Sequence, residues 1–271
     1  MKIMSTIAEN LIHFALTRGI IYGIKPTDKI PVTGFAVHAP FTLEPYKYPS
    51  KAFHNAVELA PIFNNLVDKI SRDSSWLNSV LMSTASSDSF TNKLLEIMNV
   101  IEKEGGQQDV NLGIIRSDYM LHDVPNDPRC ILQVEINTVA SSFGSLSTKI
   151  SDMHSLFYKD HNIPRNIALT TLSESLAYAH FKYLSQTQST SAVVVMVVQH
   201  GERNFADQRH LDFTLLETFG VRMVRLSLDE IHLKCSLDGA SRALVYEGLP
   251  VSVVYVSIIT LILLFTIYIC E

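Results

Sequence analysis

The run Ala192-Val-Val-Val-Met-Val-Val198 is the segment that most limits how this chain can fold. An uninterrupted apolar stretch rich in β-branched side chains offers water no polar face, so it fits a strand covered on both sides. A polar loop begins at Gln199, a helical pattern runs from about Ala206 to Phe219, Gly220 supplies a stop, and a second strand candidate spans Val221 to Leu228. Strand, helix and strand in that order form a βαβ unit, which implies an α/β fold with a largely parallel sheet flanked by helices.

The chain before this unit reads differently. Residues 1–110 are mainly helical. They hold an amphipathic run from Ile7 to Leu16, a helical pattern over 53–84 that Pro61 is expected to break, and Phe90, Leu94, Ile97, Met98 and Ile101 at helical spacing behind an Asp88 or Ser89 cap. Gly105-Gly106 is the expected stop of that helix. Two strand candidates, Leu112 to Leu121 and Ile131 to Val139, flank a turn-rich stretch holding Pro125, Asn126, Asp127 and Pro128, and are expected to pair in one sheet. With helical patterns over 145–160 and 170–185, residues 111–255 form an α/β region, and 256–271 form an apolar tail.

Composition narrows the function. The 271 residues are 47% hydrophobic and 18% charged, enough for a real core. A net charge of -5 with scattered Lys and Arg gives no footprint for a polyanion, so nucleic acid is not an expected partner. Cys130, Cys235 and Cys270 lie far apart without a C-x-x-C pair, which leaves neither a disulfide framework nor a zinc site and points to a reducing, cytoplasmic setting. Glu9, His13 and Arg18 interrupt the N-terminal run, which therefore lacks a secretory h-region. Val251 to Cys270 is a 20-residue uncharged stretch, long enough to cross a bilayer, although its β-branched beginning equally suits a buried strand. A nucleophile elbow, a P-loop and a G-x-G-x-x-G turn are all missing, and Cys130 has no nucleophile signature around it.

Three segments could carry chemistry. In Ile131-Leu-Gln-Val-Glu-Ile-Asn-Thr-Val139, strict alternation places Gln133, Glu135 and Asn137 on one strand face and turns Leu132, Val134 and Ile136 to the core. A carboxylate and an amide so spaced can put two oxygens around Mg²⁺. Spacing alone nevertheless favours an ordinary solvent-facing strand. In Ile115-Arg-Ser-Asp-Tyr-Met120, Arg116 shares a face with Asp118, and its guanidinium suits either a substrate carboxylate or an internal ion pair. The loop Gln199 to Arg209 leaves the carboxyl end of a parallel strand, where ligands of open α/β sheets bind, and offers Arg203, Asn204 and Gln208. A solvated loop fits the same residues.

Taken in order, Arg116-Ser-Asp-Tyr-Met120, Gln133-Val-Glu-Ile-Asn-Thr-Val-Ala-Ser-Ser-Phe-Gly144, Glu202-Arg-Asn and Asp207-Gln-Arg209 resemble the eukaryotic glutathione synthetases in content and spacing. Similarity also runs through His38-Ala-Pro-Phe-Thr42 and Asn64-Asn-Leu-Val-Asp68, and extends to about Tyr255. The resemblance implies an ATP-grasp ligase that joins glycine to γ-glutamylcysteine with ATP as co-substrate and Mg²⁺ as metal, working as a homodimer. It makes Glu135 a Mg²⁺ ligand at the ATP site and Asn137 a second ligand. It gives Arg116, Val139, Ala140, Ser141 and Ser142, with Glu202, Arg203, Asn204 and Gln208, to γ-glutamylcysteine. None of these is assigned as a catalytic acid, base or nucleophile.

The chain departs from the family at Ala140, where animal enzymes commonly carry Ser, and at Ser145, where a second Gly usually follows Phe-Gly. Ser145 matters more if that backbone needs φ > 0 or a close approach. Beyond the strand-like Val251-Ser-Val-Val-Tyr255, the family continues into an Arg-containing substrate loop and a nucleotide-binding half that supplies lysines, a glycine-rich lid and a further Mg²⁺ carboxylate. Val256 to Glu271 show no likeness to it. The expectation is an incomplete ATP-grasp fragment, inactive alone, whose tail stems from translation into an intron or from an incomplete gene model; the competing reading is a non-catalytic protein anchored in a membrane through 251–270, with an N-terminal region that binds a ligand or partner.

Overall fold

The computed structural model describes residues 2–24, 35–105, 110–122, 124, 130–239 and 241–257. In chain order the first elements are α1 (Lys2–Arg18), β1 (Ile21–Gly23), β2 (Ala36–His38), α2 (Ser50–Ser71), α3 (Ser74–Ala85), α4 (Ser89–Lys103), β3 (Arg116–Leu121) and β4 (Ile131–Asn137). They are followed by α5 (Gly144–Phe157), α6 (Ala168–Thr187), β5 (Val193–Val197), α7 (Phe205–Phe219), β6 (Met223–Leu226), α8 (Leu228–Lys234), β7 (Cys235–Leu237), β8 (Leu244–Tyr246) and β9 (Leu249–Val256). These elements fall into two compact units, one drawn from Met1–Lys47 and Ser141–Ile258, the other from Tyr48–Ala140. The chain thus passes between units near residues 47 and 140.

The first unit is built on a five-stranded sheet in the order β6-β5-β9-β8-β7. β5 pairs in parallel with β6 and with β9, whereas β7, β8 and β9 form an antiparallel meander. The sheet is therefore parallel around β5 and antiparallel at one side. All of Val193–Val197 is buried, as the apolar run requires. Val194 and Met196 pack with Leu176, Leu211 and Leu215 from α6 and α7, while Val193 and Val195 pack with Leu226, Tyr246 and Val251. Two opposite faces of one strand thus feed two clusters, which is why no polar residue interrupts it. A third cluster joins Leu11, Ala15 and Ile20 to Leu146 and Met153 of α5.

β9 settles the beginning of the apolar C-terminal stretch. Val251 to Val256 are sheet residues paired with β5 across its whole length. A membrane span over 251–270 would have to take these residues out of the sheet. Among the described residues no helix is long and apolar enough to cross a membrane. Residues 258–271 of the tail lie outside the described residues.

The second unit contains α2, α3, α4 and the antiparallel pair β3-β4. The helical pattern over 53–84 does not break at Pro61, because α2 runs through it. Proline removes the bond to the carbonyl four residues earlier, and Val57 is exposed, so water can satisfy that carbonyl. The break falls instead at Asp73, whose carboxylate accepts the Trp76 N–H at 2.9 Å and caps α3. Asp88 caps α4 through the Thr91 N–H in the same way, as expected. Leu112 to Ile115 are not strand, and β3 begins only at Arg116.

Candidate functional site

In the second unit, the β3-β4 pairing brings Arg116 opposite Asn137 and Asp118 opposite Glu135. Directly opposed residues of an antiparallel pair share a face, so these four side chains form one polar surface. Arg116 donates from Nε to Asp118 Oδ1 at 2.9 Å and from Nη2 to Asp118 Oδ2 at 3.1 Å. Its Nη2 also lies 3.7 Å from Glu135 Oε1. Asn137 Nδ2 donates to Glu135 Oε1 at 3.0 Å and approaches Asp118 Oδ2 at 3.4 Å. The hydrogen-bonded guanidinium holds the Asp118 carboxyl below its usual range, and Asp118 raises Arg116 in return. With side-chain exposures of 42%, 35% and 55% for Arg116, Asp118 and Glu135, the surface is open to a ligand.

The register shifts between Asp118 and Tyr119, leaving Val134 as the extra residue of a bulge. Gln133 is thereby paired with Tyr119, and its amide nitrogen lies 3.4 Å from the Ser117 hydroxyl. The expected alternation is thus corrected: Gln133 sits on the face opposite Glu135 and Asn137. Nor do Leu132 and Val134 fill a core, since both are exposed.

The first unit holds the remaining predicted residues except Val139 and Ala140, which end the second unit, with Ala140 at φ 55°. Ser141 and Ser142 line a small recess with Asp207, Gln208, Tyr255 and Ser257. Its cavity volume is ≈ 20 Å³, room for about one water. Asp207, 6% exposed, organises the approach to it. One carboxylate oxygen accepts the N–H of Phe143 at 2.8 Å and the other those of Ser145 and Leu146 at 3.0 and 2.9 Å. The first amides of α5 are thus bound by an internal carboxylate, the arrangement a helix N-terminus favours. Burial and the nearby Asp207 push the Tyr255 hydroxyl up to about 12.

A directed network runs beside the recess. Arg225 Nη2 donates to Gln208 Oε1, so the Gln208 amide nitrogen points the other way, to Glu202 Oε2 at 3.2 Å and Ser257 Oγ at 3.1 Å. Glu202 Oε1 also accepts the Asn204 N–H at 2.7 Å. Among the described residues Asn204 Oδ1 has no hydrogen-bond partner, and it is buried. Arg203 is engaged elsewhere: its Nε donates to the Gly23 carbonyl at 3.0 Å and its guanidinium stacks over Tyr22, 4.8 Å from the ring centre. It holds β1 rather than the recess.

The Ser145 departure is accommodated. Ser145 is a buried residue of α5, and the left-handed position is Phe143, at φ 68°. The close approach falls on Gly144, where a Cβ would lie 2.5 Å from Leu172 Cδ1.

Residues 1–239 match the family described as eukaryotic glutathione synthase, ATP binding domain. The chain belongs to the eukaryotic glutathione synthase family. It is 34% identical over 266 residues to the glutathione synthetase of Dictyostelium discoideum, covering 93% of this chain and 55% of that protein. To the bovine enzyme, from Bos taurus, it is 34% identical over 257 residues, covering 93% and 53%. The chloroplastic glutathione synthetase of Solanum lycopersicum matches at 34% over 268 residues, covering 94% and 47%. The chain thus spans about half the length of the curated relatives it matches. A solved glutathione synthetase-like effector from Globodera pallida, in its apo form, shares the fold with a TM-score of 0.77 at 19% identity, over 98% of this chain and 59% of that one.

Sequence reasoning gave no role to three residues that the geometry brings forward. Asp207 lies within the Asp207-Gln-Arg209 motif, yet the backbone amides it binds are more than sixty residues away, as Phe143 is 64 positions earlier. Asp118 was visible beside Arg116, but not its two-point hold on the guanidinium through Nε and Nη2. Arg225 is one strand residue among apolar neighbours, and no local signal marks its contact with Gln208.

Proposed function

We propose that this chain acts in the ATP-dependent ligation of glycine to γ-glutamylcysteine, the formation of glutathione, and that its described residues serve the γ-glutamylcysteine and metal side of that reaction. The observation that carries the reading is the single β3-β4 face on which Arg116, Glu135 and Asn137 meet. A fixed guanidinium suits a carboxylate, and an exposed carboxylate with an adjacent amide supplies the hard oxygen donors that a partly hydrated Mg²⁺ prefers. These donors fit the ion, with Glu135 and Asn137 as its protein ligands.

In the reaction, the cysteinyl carboxylate oxygen attacks the γ-phosphorus of ATP and ADP leaves; the glycine amine then attacks the acyl carbon, and phosphate departs with loss of an amine proton. Mg²⁺ supplies charge neutralisation at the phosphates. Arg116 orients the substrate through a carboxylate, and Glu135 and Asn137 position the cation. In the first unit Ser141, Ser142 and Gln208 line a recess with room for about one water, and Glu202 and Asn204 support Gln208 and the loop before α7. A cytoplasmic setting belongs to the same proposal, supported by Cys130 and Cys235 being free thiols.

The test is calorimetric titration of the 271-residue chain with γ-glutamylcysteine and, separately, with Mn²⁺ in place of Mg²⁺. Binding of the dipeptide that Arg116→Gln weakens at least tenfold, and of the metal that Glu135→Gln weakens similarly, is the expected result. Binding indifferent to both substitutions would reject the reading.

A further inference from the structure

The sheet of the first unit leaves part of one strand open. β5 pairs with β9 as far as Val256, but β8 pairs only with Leu249 and Pro250 of β9. From Val251 onward the far side of β9 therefore has no neighbouring strand among the described residues. The direction of its backbone groups follows from the bonds on the near side. The N–H groups of Val194 and Val198 donate to the carbonyls of Arg222 and Leu226 at 3.0 and 2.9 Å, so Val197 turns the other way, and its carbonyl accepts the Ser257 N–H at 3.4 Å. Backbone groups alternate sides along a strand, which turns Tyr255 and Ser257 to β5 and leaves Val254 and Val256 with N–H and C=O pointing outward.

Sheet edges are ordinarily guarded by brevity, charge or proline. The outer strands β6 and β7 are four and three residues long. The open part of β9, Val251 to Val256, is longer and holds neither a charge nor a proline, and Val254 is 47% exposed.

We propose that this edge is an interaction surface for a second copy of the chain, with the two β9 strands pairing antiparallel about a two-fold axis at Tyr255. Val254 then lies opposite Val256 of the second copy, and each such pair exchanges both of its backbone hydrogen bonds. The edge is its own complement, as a two-fold interface requires. Val253 and Tyr255 pack on the side of α6 and α7, so Val254 and Val256 project from the opposite face. Pairing gathers the four valines of the two copies into one apolar patch. No charge opposes their approach, since Gly248 to Cys270 contain no charged side chain. A hairpin back onto the same strand is disfavoured, because residues 258–271 include no Gly, Asn, Asp or Pro for a tight turn.

The experiment is sedimentation equilibrium of the whole 271-residue chain over a range of concentrations, for the wild type, Val254→Lys and Val256→Pro, each first shown to be folded by circular dichroism. Hydrogen exchange of the Val254 and Val256 amides in the wild type is read at both ends of the range. Lysine puts a charge into the apolar patch, and proline deletes one outward donor while sparing the bonds to β5. A reversible monomer–dimer equilibrium is expected, weakened about tenfold or more by either substitution, with the two amides protected only at high concentration. A monomer throughout, or association indifferent to both substitutions, overturns the proposal. So does protection at every concentration, which would put residues of the same chain along the edge. Should both variants unfold, the concentration dependence of wild-type exchange decides alone.

Discussion

Asp207 accepts the backbone N–H of Ser145, 62 residues earlier, at 3.0 Å, and so lets the start of α7 cap the start of α5. Two further amides, those of Phe143 and Leu146, share the same buried carboxylate. Asp207→Ala takes the acceptor from three backbone amides, two of them buried, and is expected to cost about 3 kcal/mol or more, given about 1–3 kcal/mol for each orphaned group and incomplete additivity. Asp207→Asn keeps one strong acceptor and should cost about half as much. Urea unfolding of the two variants checks both the size and the order.

Gly19 and Gly220 separate backbone strain from crowding. Both have positive φ, 73° and 69°. A Cβ on Gly19 would lie 2.7 Å from His210 Nε2, whereas among the described residues nothing lies within 4 Å of one on Gly220. His210 also donates to the Gly19 carbonyl at 2.9 Å. Gly220→Ala should cost only the left-handed strain, about 1–2 kcal/mol. Gly19→Ala adds displacement of His210 and is expected to exceed it by about 1 kcal/mol. Equal losses in thermal unfolding would show that His210 swings aside freely.

His180 ties α6 to the sheet. Its Nδ1 lies 2.7 Å from the Ser252 hydroxyl, which itself donates to the Val193 carbonyl at 3.1 Å, so the ring nitrogen is the donor. Ser252 is the extra residue where the β5-β9 register shifts, and its hydroxyl serves a carbonyl of the neighbouring strand at that point. Burial pushes the His180 imidazole below its ordinary value of 6.5. The unfolded chain then takes up the proton at a higher pH than the folded one. Stability from this site is full above about pH 6.5 and falls as pH drops below it, by at most about 1.4 kcal/mol per pH unit for one group. His210 is shifted the same way, again chiefly by burial. His180→Gln should flatten, without abolishing, the loss of stability between pH 7.5 and 5.5 measured by urea titration.

The parallel core was legible because β5 is apolar along its full length and Gly220 marks the end of α7 without ambiguity. The antiparallel β7-β8-β9 side was not, since β7 and β8 are three residues each and carry no periodicity that such a length could show. On the candidate site, spacing put Glu135 and Asn137 on one strand face and Arg116 on a strand expected beside it, but only the pairing register brings Arg116 opposite Asn137. Gln133 went to the wrong face because a single bulged residue, Val134, inverts every side chain beyond it. Asp207 and Arg225 act through contacts distant in sequence, which no local pattern encodes.

Arg225 offers a sharper test of the recess than its lining residues do. Its Nη2 donates to Gln208 Oε1 and thereby decides that the amide nitrogen of Gln208 faces Glu202 and Ser257. The guanidinium is poorly compensated: among the described residues Nε has no partner, and burial, followed by the charge of Arg209, pushes it below its ordinary value. Replacing such a group with an apolar side chain of similar length costs little, so Arg225→Met is expected to stay within about 1 kcal/mol of wild-type stability. Gln208 would then be free to turn its amide, and a ligand meeting a carbonyl where it requires a donor should bind about tenfold more weakly, the equivalent of one charge-assisted hydrogen bond of about 1.4 kcal/mol. The check is γ-glutamylcysteine titration of Arg225→Met beside its thermal unfolding. Weakened binding with unchanged stability would make Arg225 a positioning residue for Gln208, while unchanged binding would show that Glu202 and Ser257 hold the amide without it.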